Sequence, residues 1–186
     1  MNAVGYRAAS YDRQQNGCVL ASHRYSKRNP KVASMAKNTD KIEKKTVLRA
    51  PIAKVWQAIS RAQEFGAWFQ LALEGEFVEG ARIRGRITHP GYEHLTAELL
   101  IEAIRAPSYF AYRWHPNAIA PNVDYSTEPT TLVELELEEV PGGTQLTIRE
   151  SGFDRIPAGR RSEAFRMNEQ GWTAQLTNVE EYVARR

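Results

Sequence analysis

The last third of the chain restricts the folds open to it more than any other part. Two alternating strands joined by Pro141-Gly142-Gly143 run through Ser151-Gly152-Phe153 into a long segment where Phe165, Asn168, Trp172, Leu176, Val179 and Val183 recur at steps of three and four. That spacing places them on one stripe of a helix, with Arg161, Glu169, Glu180, Glu181, Arg185 and Arg186 mostly off it. A helix that is apolar on one side only, arriving after a run of strands, must bury that side across the sheet. Pro157 suits the first turn, where a missing N–H costs nothing. The acidic residues near the carboxyl end oppose the helix dipole, so packing has to hold the helix in place. Asn168 interrupts the stripe with an amide that needs a partner once buried, either another side chain or something bound.

The preceding strands alternate. Val133, Leu135 and Leu137 oppose Glu134, Glu136 and Glu138, and Leu146 and Ile148 oppose Gln145, Thr147 and Arg149, which predicts a half-buried antiparallel hairpin. The period carries Glu150 onto the apolar face and leaves Arg149 on the wet face, opposite the glutamates. Earlier, Arg82, Arg84 and Arg86 alternate with Ile83, Gly85 and Ile87, and Leu99, Ile101 and Ala103 with Glu98 and Glu102. Arginines facing glutamates across neighbouring strands make an ordinary solvated surface rather than a nucleic-acid stripe, which would call for interleaved aromatics. The glycines at 75, 80 and 85 sit among strand residues and mark bends or bulges. After Pro107, Phe110, Tyr112 and Trp114 share a strand face, implying a thick core or a cavity wall. Lys41 to Ala50 reads as the first strand. Pro51 opens a helix with Ile52, Val55, Trp56 and Ile59 on one face, Phe65, Trp68 and Phe69 mark a second short helix, and Leu71 to Val78, which includes Phe77, reads as the next strand.

Charge divides the chain unevenly. Residues 1–40 carry seven basic residues against Asp12 and Asp40, so a chain of net charge +3 has a remainder of −2. The folded part, residues 41–186, is close to neutral, and no polyanion partner is indicated. Residues 1–40 are polar and poor in large aliphatics and are expected to form a disordered basic tail. With no apolar run long enough for a signal peptide or a membrane span, a cytoplasmic protein without membrane insertion is expected. Met35 stands just ahead of the folded part as an alternative start. Cys18, the only cysteine, falls in the tail, which removes a disulfide, a cysteine-ligated zinc site and a thiol nucleophile from the domain. His89, His94 and His115 lack helical metal-pair spacing, and Ser151-Gly152 lacks the context of a hydrolase elbow, so no metal or cofactor is expected.

Ala50-Pro51 followed by Val55-Trp56, then Trp68-Phe69, Pro107 with Tyr112 and Trp114, Gly142-Gly143-Thr144, Gly152-Phe153 and Gly171-Trp172 together resemble the bacterial homologues of the activator of heat-shock-protein-90 ATPase. These belong to the START-like superfamily, also called SRPBCC or birch-pollen-allergen-like. The resemblance runs from about Lys41 to the end. It implies an α+β helix-grip fold: a curved antiparallel sheet of about six or seven strands wrapped on a long C-terminal helix, two short helices after the first strand, and an apolar cavity between sheet and helix. It implies little about chemistry, since the superfamily includes lipid carriers, hormone receptors, polyketide cyclases and co-chaperones.

Three functions follow as expectations. The first is binding or carrying a small hydrophobic molecule, with Trp68, Phe69, Phe77, Phe110, Tyr112, Trp114, Glu150, Phe165, Asn168, Trp172 and Leu176 as candidate ligand-binding residues; rings such as Phe110, Trp114, Phe165 and Trp172 read singly as plain core, and their clustering is what raises the ligand reading. The second is a cyclase-like or dehydratase-like enzyme, in which a carboxyl group held protonated by an apolar cavity at Glu150 donates a proton and Tyr112 assists. Against it stands a Glu150 at the cavity mouth, bonded to backbone N–H groups at the start of the last helix or to solvent. The third is a co-chaperone-like interaction module. Here the tail is too short and polar to supply the separate amino-terminal domain of the eukaryotic activators, which argues against an activator role.

Overall fold

The glycine-turned hairpin anchors the architecture. In the computed structural model, which describes residues 40–120 and 122–185, the elements run β1 (Lys41–Leu48), α1 (Ile52–Ser60), α2 (Ala62–Phe69), β2 (Leu71–Leu73), β3 (Arg82–Ile87), β4 (Thr96–Arg105), β5 (Tyr109–Trp114), β6 (Thr131–Val140), β7 (Gly143–Ser151) and α3 (Ala158–Arg185). The basic tail, with Cys18 and Met35, lies outside the described residues. All seven strands form one antiparallel sheet in the order β1-β7-β6-β5-β4-β3-β2. Strands β2 to β7 are therefore a continuous meander, and α1 and α2 carry the chain from β1 at one edge to β2 at the other.

Alternation along each strand sorts the side chains as the pattern predicts. In β6 and β7, Val133, Leu135, Leu146 and Ile148 are buried. On the outer face Arg149 bonds Glu43 at 2.8 Å and Glu136 at 2.5 Å, while Arg82 and Arg84 share Glu98 at 2.5 Å each. Strand β4 shifts register between Ile101 and Ala103, a bulge that adds twist next to the long β5 rings. Helix α3 lays Phe165, Asn168, Trp172, Val179 and Val183 on the inner face of the sheet, with Leu176 half-buried beside them.

Two segments differ from the sequence reading. The first strand ends at Leu48 instead of Ala50, and the strand after α2 covers Leu71–Leu73 instead of continuing to Val78. Gly75, at φ +104°, turns the chain out of the ladder. Phe77 nonetheless reaches the core, 8% exposed. Two glycines let backbones touch. A Cβ at Gly85 would lie 2.6 Å from the carbonyl oxygen of Ala72, and one at Gly143, where φ is +155°, 2.0 Å from that of Leu48. These contacts seat β2 on β3, and the β6–β7 turn on the end of β1.

Candidate ligand cavity

Glu150 is fully enclosed, 0% exposed, which no other charged residue among those described matches. Its place follows from β7 alternation, which turns it inward one step beyond Ile148 and beneath α3. Four side chains from three other elements close on it. Oε1 accepts from Trp114 Nε1 at 2.8 Å on β5 and from Thr131 Oγ1 at 2.6 Å on β6; Oε2 accepts from Trp172 Nε1 at 2.6 Å on α3. The Asn168 amide nitrogen lies 2.9 Å from Oε1 and 3.0 Å from Oε2. Burial pushes the Glu150 carboxyl above the ordinary carboxylate range, and the four donors pull against that rise. This corrects the expectation of a carboxylate at the cavity mouth: side chains of the sheet and α3 serve it, behind the wall, in place of helix-start amides or solvent. Neighbouring Tyr112 is likewise 0% exposed and its hydroxyl has no partner among the described residues; burial first, then the nearby Glu150 charge, push that hydroxyl far up.

The interior in front of this network is filled with rings. Phe65 stacks on Phe69 at 4.8 Å between centroids and meets Trp68 edge-on at 4.9 Å, and Phe77 lies 4.8 Å from Phe110. Trp114 and Trp172 stand 6.1 Å apart, at 5.8 and 5.7 Å from Phe69. Open space begins to one side of that ring cluster. A cleft of about 870 Å³ runs between α3, the β3–β4 connection and the long β5–β6 connection. On the helix its wall is Met167, Asn168, Gly171, Ala174, Gln175 and Asn178; on the sheet it includes Leu71, Ile87, Ala97 and Trp114; on the β3–β4 connection it includes Leu95, and on the β5–β6 connection Ile119, Val123 and Tyr125. Gly171 matters to its depth, because a Cβ there would meet nothing within 4 Å. Arg160, in the first turn of α3, fastens the β5–β6 connection. It bonds Glu128 at 2.6 Å and the carbonyl of Pro116 at 2.9 Å, and its guanidinium lies 4.7 Å over the Tyr125 ring.

Of the residues expected to contact a ligand, Phe69, Trp114 and Asn168 line this cleft. Trp68, Phe77, Phe110, Tyr112, Phe165 and Trp172 are packed in the core, Leu176 packs against it, and Glu150 sits directly behind the Trp114–Asn168 part of the wall. Trp68 donates its indole N–H to the carbonyl of Ala58 at 2.9 Å, tying α2 to α1. The three histidines set aside as metal ligands, His89, His94 and His115, all reach the cleft. There His89 Nδ1 pairs with Gln70 Oε1 at 2.5 Å, and His115 Nε2 donates to the carbonyl of Glu128 at 3.1 Å. Among the described residues no group of three or more His, Cys, Asp or Glu is placed to hold a metal ion. Periodicity gives no sign of Ile119, Val123 or Tyr125, which belong to an irregular connection. Gly171, inside a helical stripe where glycine is unfavourable, was the one local signal of a wall needing room.

A meander of strands closed over a C-terminal helix, with two short helices spanning the sheet, defines the START-like helix-grip class. Within that class the chain belongs to the family described as Activator of Hsp90 ATPase homolog 1-like protein, whose profile matches residues 49–184. Solved structures resemble it at low identity. A Mesorhizobium loti protein is 18% identical with a TM-score of 0.62, over 78% of this chain and 97% of its own. The Aha1 dimer of Colwellia psychrerythraea is 15% identical with a TM-score of 0.58, over 77% and 95%. DynU16, a protein of the dynemicin biosynthetic locus, is 18% identical with a TM-score of 0.60, over 78% of this chain and 47% of its own. No curated protein matches the sequence. No described helix is long and apolar enough to cross a membrane.

Proposed function

We propose that the protein binds a small, largely apolar molecule in the cleft between α3 and the two long strand connections. The observation that carries this reading is the cleft itself: about 870 Å³, within the roughly 300–1,000 Å³ of small-molecule sites, with aliphatic and aromatic side chains making up much of its lining beside histidines and amides. Its walls come from rigid elements, α3 and β3 to β5, and its third side is fastened by Arg160. Membership of a ligand-binding fold family supports the same conclusion. An enzymic reading through Glu150 and Tyr112 has less support, because both lie behind the wall and neither presents an atom to the cleft.

The test uses the open space at Gly171. Phe in its place starts from a Cβ that meets nothing within 4 Å and sets a ring against the cleft that Gly171 lines. Binding of 1-naphthol, followed by amide shifts at Met167, Gly171 and Ala174, is expected in the native protein. In Gly171→Phe it should weaken at least about tenfold while thermal stability is kept. Unchanged affinity in the variant, or shifts confined to other surfaces, would remove the cleft as the site.

A further inference from the structure

We propose that the inner wall of the cleft selects ligands carrying a hydrogen-bond donor, a hydroxyl or N–H on an apolar body, and that Asn168 Oδ1 is the acceptor that reads it; this rests on the cleft being the binding site. The orientation of Asn168 is set from behind. Its amide nitrogen lies between both oxygens of Glu150, at 2.9 and 3.0 Å. An amide oxygen placed there would face two acceptors, so the nitrogen must point inward and the oxygen outward. Asn168 lines the cleft, and Oδ1 accepts no hydrogen bond from any described residue.

The same network removes the competing groups. Trp114 also lines the cleft, yet its indole N–H is spent on Glu150, as is that of Trp172. The Asn168–Trp114 part of the wall therefore offers a ligand an acceptor and no donor. A carbonyl or carboxylate placed against it would find no partner and would approach the buried carboxyl of Glu150. A hydroxyl would complete the open bond at Oδ1. Three further amides beside this wall are already engaged: Gln175 donates to the carbonyl of Phe69 at 3.4 Å, Asn178 donates to Gln175 at 3.1 Å, and Gln70 pairs with His89; Asn117 and Asn122 belong to the β5–β6 connection. Glu150 is accordingly a positioning residue, which acts on the ligand only through the amide it holds.

The experiment compares 1-naphthol with 1-methoxynaphthalene, which keeps the ring system and loses the donor, by calorimetric titration of the full chain. One hydrogen bond that replaces an open acceptor predicts about 3- to 10-fold tighter binding of the naphthol. In Glu150→Gln the side-chain nitrogen introduced behind the wall frees Asn168 to turn, and the preference should fall to about unity or reverse. A structural role alone would weaken both probes together and leave the ratio intact. The native comparison decides the matter even if that variant does not fold. Equal affinities with shifts still at Gly171 and Ala174 would overturn the donor preference and leave the cleft as a binding site. Failure of both probes to bind would remove the site and the preference together.

Discussion

Replacing Glu150 by glutamine tests whether the four donors around it, rather than bulk packing, specify the junction of β5, β6, β7 and α3. The shape is conserved and one oxygen becomes an NH₂. At the Oε2 position that nitrogen would face the indole N–H of Trp172, 2.6 Å away. At the Oε1 position it would face that of Trp114, at 2.8 Å. An indole cannot accept, so either orientation leaves one buried N–H unpaired, at about 1–3 kcal/mol, and removes one hydrogen bond worth about 1 kcal/mol. Thr131 and Asn168 can turn to accept, which limits the loss to about 2–4 kcal/mol. With a urea slope of about 1–3 kcal/mol per molar, the unfolding midpoint should fall by about 1–2 M at neutral pH, without a change of slope. The pH dependence carries a sign. Because burial lifts the folded-state carboxyl above its unfolded value, its stabilising contribution is complete below the ordinary carboxylate range and is lost as pH rises through the folded-state value. The advantage of the native protein over Glu150→Gln should therefore be largest in mild acid and shrink with rising pH. A midpoint within about 0.3 M of native at every pH would refute this account.

Gly171→Ala should raise stability by about 0.5–1 kcal/mol, read as a higher melting temperature, because the new Cβ meets open space and glycine is costly inside a helix. Gly143→Ala should lower it by about 2–4 kcal/mol in urea titrations, since its Cβ would press on the Leu48 carbonyl at a φ that favours glycine. Glu43 is held at about 2, first by its bond to Arg149 and then by Lys41, so its contribution is present above the ordinary carboxylate value and lost as pH falls toward about 2. Melting curves of Glu43→Gln should accordingly flatten on the acid side. Arg160→Ala should speed hydrogen exchange in residues 115–130 severalfold while exchange in β6 and β7 barely changes.

The sheet and the grip were legible in the sequence because both rest on period. Alternation placed Val133, Leu146 and Glu150 inward, and the three-and-four spacing put Asn168 and Trp172 on the face that meets them. The partnership of Glu150 with Asn168 was half legible. Asn168 was marked as an amide in need of a partner and Glu150 as an acidic residue on the apolar face, but register and helix phase decide that they meet each other, and these emerge only when β7 and α3 are packed. The position of the cleft was not legible. It was sought where the rings converge, yet converging rings fill space, as Phe65, Phe69 and Phe110 do. The empty volume lies where irregular connections and a glycine fail to fill it. Neither the β5–β6 connection, with Ile119 and Tyr125, nor the histidines at 89, 94 and 115 carry a period from which a wall could be inferred.

Strand β1 has a practical consequence for anyone cutting this gene. The family match begins at residue 49, one residue after β1 ends. Yet β1 covers the whole flank of β7, from Lys41 opposite Ser151 to Leu48 opposite Thr144, contributes Ile42 and Leu48 to the interior, and is preceded by Asp40, whose carbonyl receives the amides of Gly152 and Phe153. A fragment trimmed to the match would leave the β1-facing side of the β7 backbone unpaired along its length, an open template for aggregation. Expression boundaries should be set at or upstream of Asp40.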